Sequence, residues 1–438
     1  ELVKGLNRDR FAVSVITTVP SDHEWQKYFA QYTDEIFHLP DFLDAAHFLE
    51  YVAYYIQTRN VQILFLSNSY RGYSMLPWLR RQFPRLCMVD YVHMEEWYWK
   101  AGGFARLSAN YGAFLDRTYV CNTKTRDVLV HTFGRDTESV AVMYIGVNVH
   151  RFDPEKVPKG RFYQKLGVAA TRPIVLYPCR MDAQKRPFLM LAVAEKVRRQ
   201  IPDVLFVAAG SGPQKEALQR AIQKRGLSGH VICIDPVGRM EYCYQDAKLT
   251  LICSLKEGLS LTAYESCAMG TPVVSSDAGG QSDLIDNRVG RLVPVRQKEG
   301  EDFDQRKYAE EEIEDYAQAI GKLLSDQVLY QACSETCRRR IIRGFTTKNM
   351  LRQMEQELLH LTEDEEWQRR RQELAAGVNR LGFLPEELYV MELAEEERSM
   401  LSAAALSVLE TTLAKCLPPG SARRDRAVQF YRKWRSET

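Results

Sequence analysis

No stretch of this 438-residue chain reaches the ~18 consecutive apolar residues of a membrane-spanning helix, which excludes one. Charge of one sign is also lacking. Lys and Arg number 59 against 57 Asp and Glu, a net of +2, so nothing steers the chain toward nucleic acid. The ten cysteines contain no C-x-x-C pair. Cys333 and Cys337 fall four apart on a helical stretch and read as packing. Cys233, Cys253 and Cys267 sit in or beside apolar runs, where a thiol behaves as a small hydrophobe. This usage fits a reducing compartment, and no signal-peptide pattern is read, so a cytoplasmic location is expected. The turn Gly210-Ser211-Gly212-Pro213 lacks the third glycine of a nicotinamide fingerprint, so that site is rejected.

What is present is a long alternation of strands and helices. At 438 residues the chain exceeds one core, and hydrophobic content of 45% with 26% charged residues is that of a globular protein. From Arg172 to Val295, apolar strands such as PIVLYPC, VLFVAAG, HVICIDPV, LTLICSL and PVVSSD alternate with amphipathic helices. Continuous apolar strands between helices indicate a parallel sheet covered on both faces. Ligands bind such sheets at the carboxyl ends of strands, where Arg180, Gly210, Glu257 and Asp277 fall. The first 150 residues repeat the style less cleanly, with strands expected in FAVSVITTVP, VQILFLSNS, LCMVDYVH, RTYVCNT and VAVMYIGVN.

The segment from Glu257 to Glu265 carries the chemistry. Its two carboxylates lie eight apart, with Gly258, Leu259 and Ser260 following the first. Glu257 ends a strand-like run and stands on a loop. Gly258 permits a tight turn, Ser260 is a candidate N-cap, and Leu261 onward reads as a helix. Open amides and the dipole at that helix start would seat an anion. Glu265 lies about one turn inside. Taken alone, the spacing also fits a solvated loop acid and a surface helix acid. Arg180 and Lys185, at a strand end and in the next turn, could hold a diphosphate as a fork and a point charge, or be solvated turn cations.

Three motifs in order resemble one family. Glu257 to Glu265 is similar to the E-x7-E motif of retaining glycosyltransferases of family 4. Upstream, YPCRMDAQKRP resembles that family's strand-end Arg followed by Lys. Downstream, MGTPVVSSDAGGQSDLI resembles its next strand and Gly-Gly turn. The resemblance covers roughly residues 1–360 and is concentrated in 172–295. It implies an α/β GT-B fold: two Rossmann-like parallel-sheet domains facing across a cleft, with a C-terminal helical extension. The expected division is 1–155 for the acceptor-side domain, 156–345 for the nucleotide-sugar domain, 346–360 for a crossover helix and 361–438 for the extension.

By the same resemblance, Arg180 and Lys185 stabilise the leaving diphosphate and Glu257 touches the transferred sugar. The amides of Gly258, Leu259 and Ser260 meet sugar hydroxyls and the distal phosphate, and Glu265 accepts from the ribose hydroxyls. His93, after the strand MVDYV, lies close to the donor sugar. The bland readings are a core Leu259 and a satisfied core His93. Trp97, Tyr98 and Trp99 follow as packing residues or as a stacking face. Gly210, Gly212, Val237 and Gly238 line the nucleotide cleft, although Asp235 stands where the family has glycine. Asn148 replaces Asp in the hinge-like YIGVN. Asp302-Phe303-Asp304 imitates a metal-binding D-x-D but lies in a charged insertion, so no metal and no cofactor are expected.

The expected partners are a nucleoside-diphosphate sugar and a saccharide or glycolipid acceptor, with no nucleic acid. Peripheral attachment to the inner face of a membrane and a role in polysaccharide biosynthesis come from the family alone. The chain starts without Met and without the family's first strand and Gly-rich loop, so an upstream segment of a longer chain is expected. Two other readings stay open. One is a sugar-nucleotide epimerase or hydrolase, with Glu95 or Glu96 as acid. The other is a degenerate binding or scaffold subunit.

Overall fold

A computed structural model of the chain describes residues 1–21, 26–297, 307–378 and Tyr389. The first lobe runs α1 (Leu2–Gly5), β1 (Val15–Thr17), α2 (Gln26–Phe29), β2 (Ile36–His38), α3 (Phe48–Arg59), β3 (Ile63–Ser67), α4 (Tyr70–Gln82), β4 (Cys87–Val92), α5 (Gly103–Asn110), β5 (Arg117–Val120), α6 (Thr123–Asp127) and β6 (Val140–Val142). The second opens with α7 (Arg161–Leu166), β7 (Ile174–Pro178), α8 (Pro187–Gln200), β8 (Leu205–Ala209), α9 (Lys215–Lys224) and β9 (Val231–Ile234). It continues through α10 (Met240–Asp246), β10 (Leu249–Ile252), α11 (Leu261–Ala268), β11 (Val273–Ser276), α12 (Gln281–Leu284) and β12 (Gly290–Val293). Among the described residues, α13 (Glu310–Ser325), α14 (Gln327–Gly344), α15 (Thr347–Glu363) and α16 (Glu365–Val378) follow.

Every strand pair among the described residues is parallel. The first lobe holds a four-stranded sheet, β3-β4-β5-β6, and a separate pair, β1-β2. Strand β2 was not among the expected strands. At three residues it is too short for alternation to show. The second lobe holds six strands in the order β12-β11-β10-β7-β8-β9. Its central strands are buried on both faces, with Ile174, Val175 and Leu176 fully covered, as their unbroken apolar run requires.

Helix α8 shows how the sequence sets local structure. Pro187 opens it with a pre-set φ, and Phe188, Leu189, Leu191, Val193, Ala194 and Val197 are buried. Arg186 takes a left-handed φ of 56° just before it. Its guanidinium is buried and reaches Glu312 at 2.9 Å and the Cys253 carbonyl at 2.5 Å. Arg186 therefore ties α13 to the sheet and does not face the cleft side of its turn.

Among the described residues the chain passes between the lobes twice, and the passages touch. Val147 bridges to Thr346, its amide donating to the Phe345 carbonyl at 2.9 Å. Asn148 accepts from the amides of His150 at 3.0 Å and Arg151 at 3.1 Å, which closes a local turn. Helix α15 then lies on the first lobe, where Glu355 accepts from the Asn7 amide at 2.7 Å. Helix α16 packs on α4. There Asp116 takes Arg80 on one carboxylate oxygen and Arg371 on the other, each at 2.8 Å. All three side chains are buried.

A buried carboxylate shared by two guanidiniums leaves both uncompensated when it is removed. Asp116→Ala is therefore expected to cost about 3–5 kcal/mol of unfolding free energy. Denaturant unfolding checks this, and a midpoint equal to wild type would contradict the role assigned to Asp116.

Candidate functional site

Strand order in the second sheet reverses between β7 and β10. From β7 the chain proceeds outward through β8 and β9, and from β10 it proceeds the other way through β11 and β12. Ligands of open parallel sheets bind beyond the carboxyl ends of the strands at such a reversal. Arg180 and Lys185 follow β7, and Glu257 follows β10.

The two loops are stitched together. The Leu255 amide donates to the Gln184 carbonyl at 2.8 Å, and Gln184 Nε2 donates to the Lys256 carbonyl at 3.1 Å. Across that seam the Lys185 ammonium is paired with the Glu257 carboxylate. The same carboxylate accepts from Ser254 at 2.6 Å. Asp182 organises the turn, accepting from Arg180 Nε at 2.5 Å and from the Lys185 amide at 3.1 Å. Arg180 is 70% exposed, whereas Glu257 is buried.

The Glu257 loop meets the first lobe backbone to backbone. A Cβ on Gly258 would stand 2.2 Å from the His93 carbonyl oxygen, so only glycine permits this approach. On the other flank, Gly279 has φ 57°, and a Cβ there would stand 1.6 Å from the Glu257 carbonyl oxygen. The His93 carbonyl also accepts from the Cys121 thiol at 2.8 Å. Burial lowers the pKa of His93, which favours the neutral ring at neutral pH. Its Nε2 lies 3.3 Å from the Ser67 hydroxyl.

Helix α11 begins where the spacing predicts, with Ser260 at the N-cap, but the Ser260 side chain makes no capping bond. Gln281 Oε1 instead accepts from the Ser260 amide at 3.3 Å, so one of the amides expected to seat an anion has a protein partner. Leu259 is buried and packs in the core. Thr262, in the first turn, reaches the Pro178 carbonyl at the end of β7 at 3.5 Å. One turn on, Glu265 accepts from the Tyr244 hydroxyl at 2.9 Å. Burial raises the Glu265 pKa, while Tyr244 and Arg151 pull against that rise.

Two further loops border this region. The Met181 amide donates to the Ser211 carbonyl at 2.8 Å, which sets the Gly210–Gly212 turn beside Arg180. Arg151 donates to the Gly238 carbonyl at 2.9 Å and pairs with the buried Glu241 at 3.1 Å. Val237 packs its side chain against the core, and Asp235 pairs with Lys215 at 2.5 Å. The geometry thus brings Arg180, Lys185, Glu257, Gly258, Gly210, Gly212 and His93 into one neighbourhood. Helix α11 joins it to Glu265, near Gly238 through Arg151.

Sequence reasoning missed the residues that join the lobes here. Asn122 Nδ2 donates to the Gly258 carbonyl at 3.2 Å, and Asp283 accepts from the Thr123 amide at 2.8 Å and its hydroxyl at 2.6 Å. An Asn directly after a buried strand is a legible N-cap, and Asn122 does cap α6. Its second bond, to a loop 136 residues away, has no local signal. Among the described residues, no group of His, Cys, Asp or Glu could hold a metal, and Asp302-Phe303-Asp304 lies outside them.

Residues 159–340 match the family described as Glycosyl transferases group 1. The chain is 30% identical over 222 residues to the D-inositol 3-phosphate glycosyltransferase of Nocardia farcinica, covering 48% of this chain and 46% of that protein. It is 27% identical over 214 residues to the GDP-mannose-dependent alpha-(1-6)-phosphatidylinositol monomannoside mannosyltransferase of Mycolicibacterium smegmatis, covering 46% and 51%. The chain thus spans about half the length of the curated relatives it matches. In three dimensions it resembles the crystal structure of Anabaena HepE in complex with UDP, with a TM-score of 0.63 at 17% identity, covering 77% of this chain and 90% of that one.

Because a methyl group at position 279 collides with the backbone of Glu257, Gly279→Ala must push that residue off its place. We expect a loss of about 2 kcal/mol or more of stability, or a displaced Glu257 with Lys185 unpaired. Calorimetry and a crystal structure of the variant check this. Wild-type stability with an unmoved loop would refute it.

Proposed function

We propose that this chain, whose residues 159–340 match the glycosyl transferases group 1 family and whose fold resembles GT-B enzymes, transfers a sugar from a nucleoside-diphosphate sugar to an acceptor hydroxyl with retention at the anomeric carbon. The observation that carries the reading is the pairing of Lys185 with Glu257 across the strand-order reversal, with His93 of the opposite lobe in backbone contact beside it. Sugar, diphosphate and acceptor must meet at one point, and these three residues come from the elements that would surround it.

Each residue has work that its surroundings suit. Arg180 is turned by Asp182 through Nε, which leaves its Nη edge as a fork for phosphate oxygens. Lys185, held by Glu257, adds a second cation, so charge developing on the departing diphosphate meets preorganised donors. The diphosphate itself takes the acceptor proton, and the cations do the work that a metal does elsewhere. Glu257, fixed by Lys185 and Ser254, faces the transferred sugar, and the neutral His93 ring approaches it from the other lobe. Glu265 grips the ribose hydroxyls, with Tyr244 behind it. The backbone at Gly258, Leu259, Ser260, Gly210, Gly212, Val237 and Gly238 lines the rest of the donor cleft. Closure of the lobes would exclude water and limit donor hydrolysis.

The donor assignment draws on the HepE structure with UDP and on that same protein with UDP-glucose. For the acceptor we propose a saccharide or glycolipid of polysaccharide or glycoconjugate biosynthesis, met in the cytoplasm or at the inner face of a membrane. No helix among the described residues is long and apolar enough to cross one.

Three outcomes are expected. Arg180→Ala lowers kcat, and Glu265→Ala raises the donor KM, each by about 10- to 100-fold if one charge-assisted hydrogen bond is lost. Wild-type kinetics in both variants would defeat the assignment. Because burial raises the Glu265 pKa, its carboxylate takes up a proton at a higher pH than an ordinary one. Donor KM should therefore rise as pH falls through the weakly acidic range, and Glu265→Gln should flatten that limb. A limb unchanged in the variant would mean that another group titrates.

A further inference from the structure

The first lobe adds its own contacts to the Glu257 loop on both flanks of the carboxylate. Glu257 itself is held by its own lobe, through Lys185 and Ser254. The residues on either side of it are held by both lobes: the second lobe supplies Gln184 Nε2 to the Lys256 carbonyl at 3.1 Å and the Gly280 amide to the Gly258 carbonyl at 2.8 Å, and the first lobe adds contacts of its own. The Gly258 carbonyl accepts from Asn122 Nδ2 at 3.2 Å, and its α-carbon rests against the His93 carbonyl. The Lys256 ammonium lies 3.4 Å from the centroid of the Tyr98 ring and 3.9 Å from Glu96 Oε1. Alongside, Asp283 of the second lobe accepts both the amide and the hydroxyl of Thr123, next to Asn122.

We propose that Asn122 is a positioning residue for Glu257, acting with Lys256 and Asp283 as a latch by which the first lobe sets where that carboxylate stands. The proposal rests on the transferase reading of the cleft and adds residues that do not touch substrate. Asn122 is fully buried, so its amide donor is committed to this contact and the neighbouring Cys121 sulfur. The 256–258 backbone is short and stiffened by Gly279 packed beneath it, so a shift at Gly258 carries Glu257 with it. An opened cleft removes the first lobe's contacts from both flanks of Glu257 together, while Lys185, Gln184 and Gly280 keep theirs. The carboxylate then stays in the pocket but loses its place against the sugar. The latch thus couples the lobe that carries the acceptor to the carboxylate that meets the donor.

One substitution separates the latch from the fold. Asn122 Oδ1 caps α6 by accepting from the Thr125 amide at 2.7 Å, while Nδ2 makes the bond to Gly258. Asn122→Ser keeps a capping acceptor for the Thr125 amide, adds no charge and removes the donor to the Gly258 carbonyl. The expected results are near-wild-type melting, faster amide hydrogen exchange in residues 256–260, and a kcat lowered about tenfold while UDP, GDP or ADP binds within about twofold of wild type. Lys256→Met and Asp283→Asn, made as second and third variants, should move the same two readouts in the same direction. Unchanged exchange in residues 256–260 in all three variants overturns the latch, as does nucleotide binding lost in parallel with kcat. A wild-type chain that turns over no nucleotide sugar, yet shows the exchange effect in Asn122→Ser, supports the latch and sinks the transferase reading.

Discussion

The reversal of strand order between β7 and β10 is the constraint on which the rest of the site depends. Parallel strands joined by crossover helices send their connections to opposite sides at such a point, and two adjacent loops part. Here those loops carry Arg180 and Lys185 on one side and Glu257 on the other. The Lys185–Glu257 pair bridges the two loops. Neither loop could hold this arrangement alone, because the Leu255 amide bonds the Gln184 carbonyl and the Gln184 side chain bonds the Lys256 carbonyl.

Close backbone approach does the remaining positioning. Gly258 lies against the His93 carbonyl and Gly279 against the Glu257 carbonyl, so three chain segments from two lobes stack without side chains between them. Such contacts tolerate little displacement, since any added atom falls inside van der Waals distance. They place the acidic loop more firmly than its own helix start does, because Ser260 gives α11 no side-chain cap. The buried Arg186–Glu312 and Arg80–Asp116–Arg371 contacts work farther out, fastening α13 and α16 to the sheets that carry the site.

Much of this was legible because the signals were local and periodic. The strands of the second sheet are apolar runs buried on both faces, and the pattern from Arg172 to Val295 reads as the alternation found. Glu257 on a loop, α11 after Ser260 and Glu265 one turn inside follow from turn and helix chemistry over a few residues. The first lobe was less clear. Its strands β1, β2 and β6 have three residues each, too few for a period to register. The residues that join the lobes were not legible, since Asn122 and Asp283 look locally like an N-cap and a surface acid.

The sequence by itself determined the α/β class, the strand ends that carry charged groups and the order of the motifs. Each of these depends on neighbours within a turn or a strand. Only the tertiary structure decided that Lys185 pairs with Glu257 and that His93 and Asn122 reach Gly258. It also decided that Arg186, next to Lys185 in the chain, turns into the core toward Glu312. Those outcomes depend on strand order and on the meeting of the two lobes, which join residues tens to more than a hundred positions apart, and no local pattern encodes such a distance.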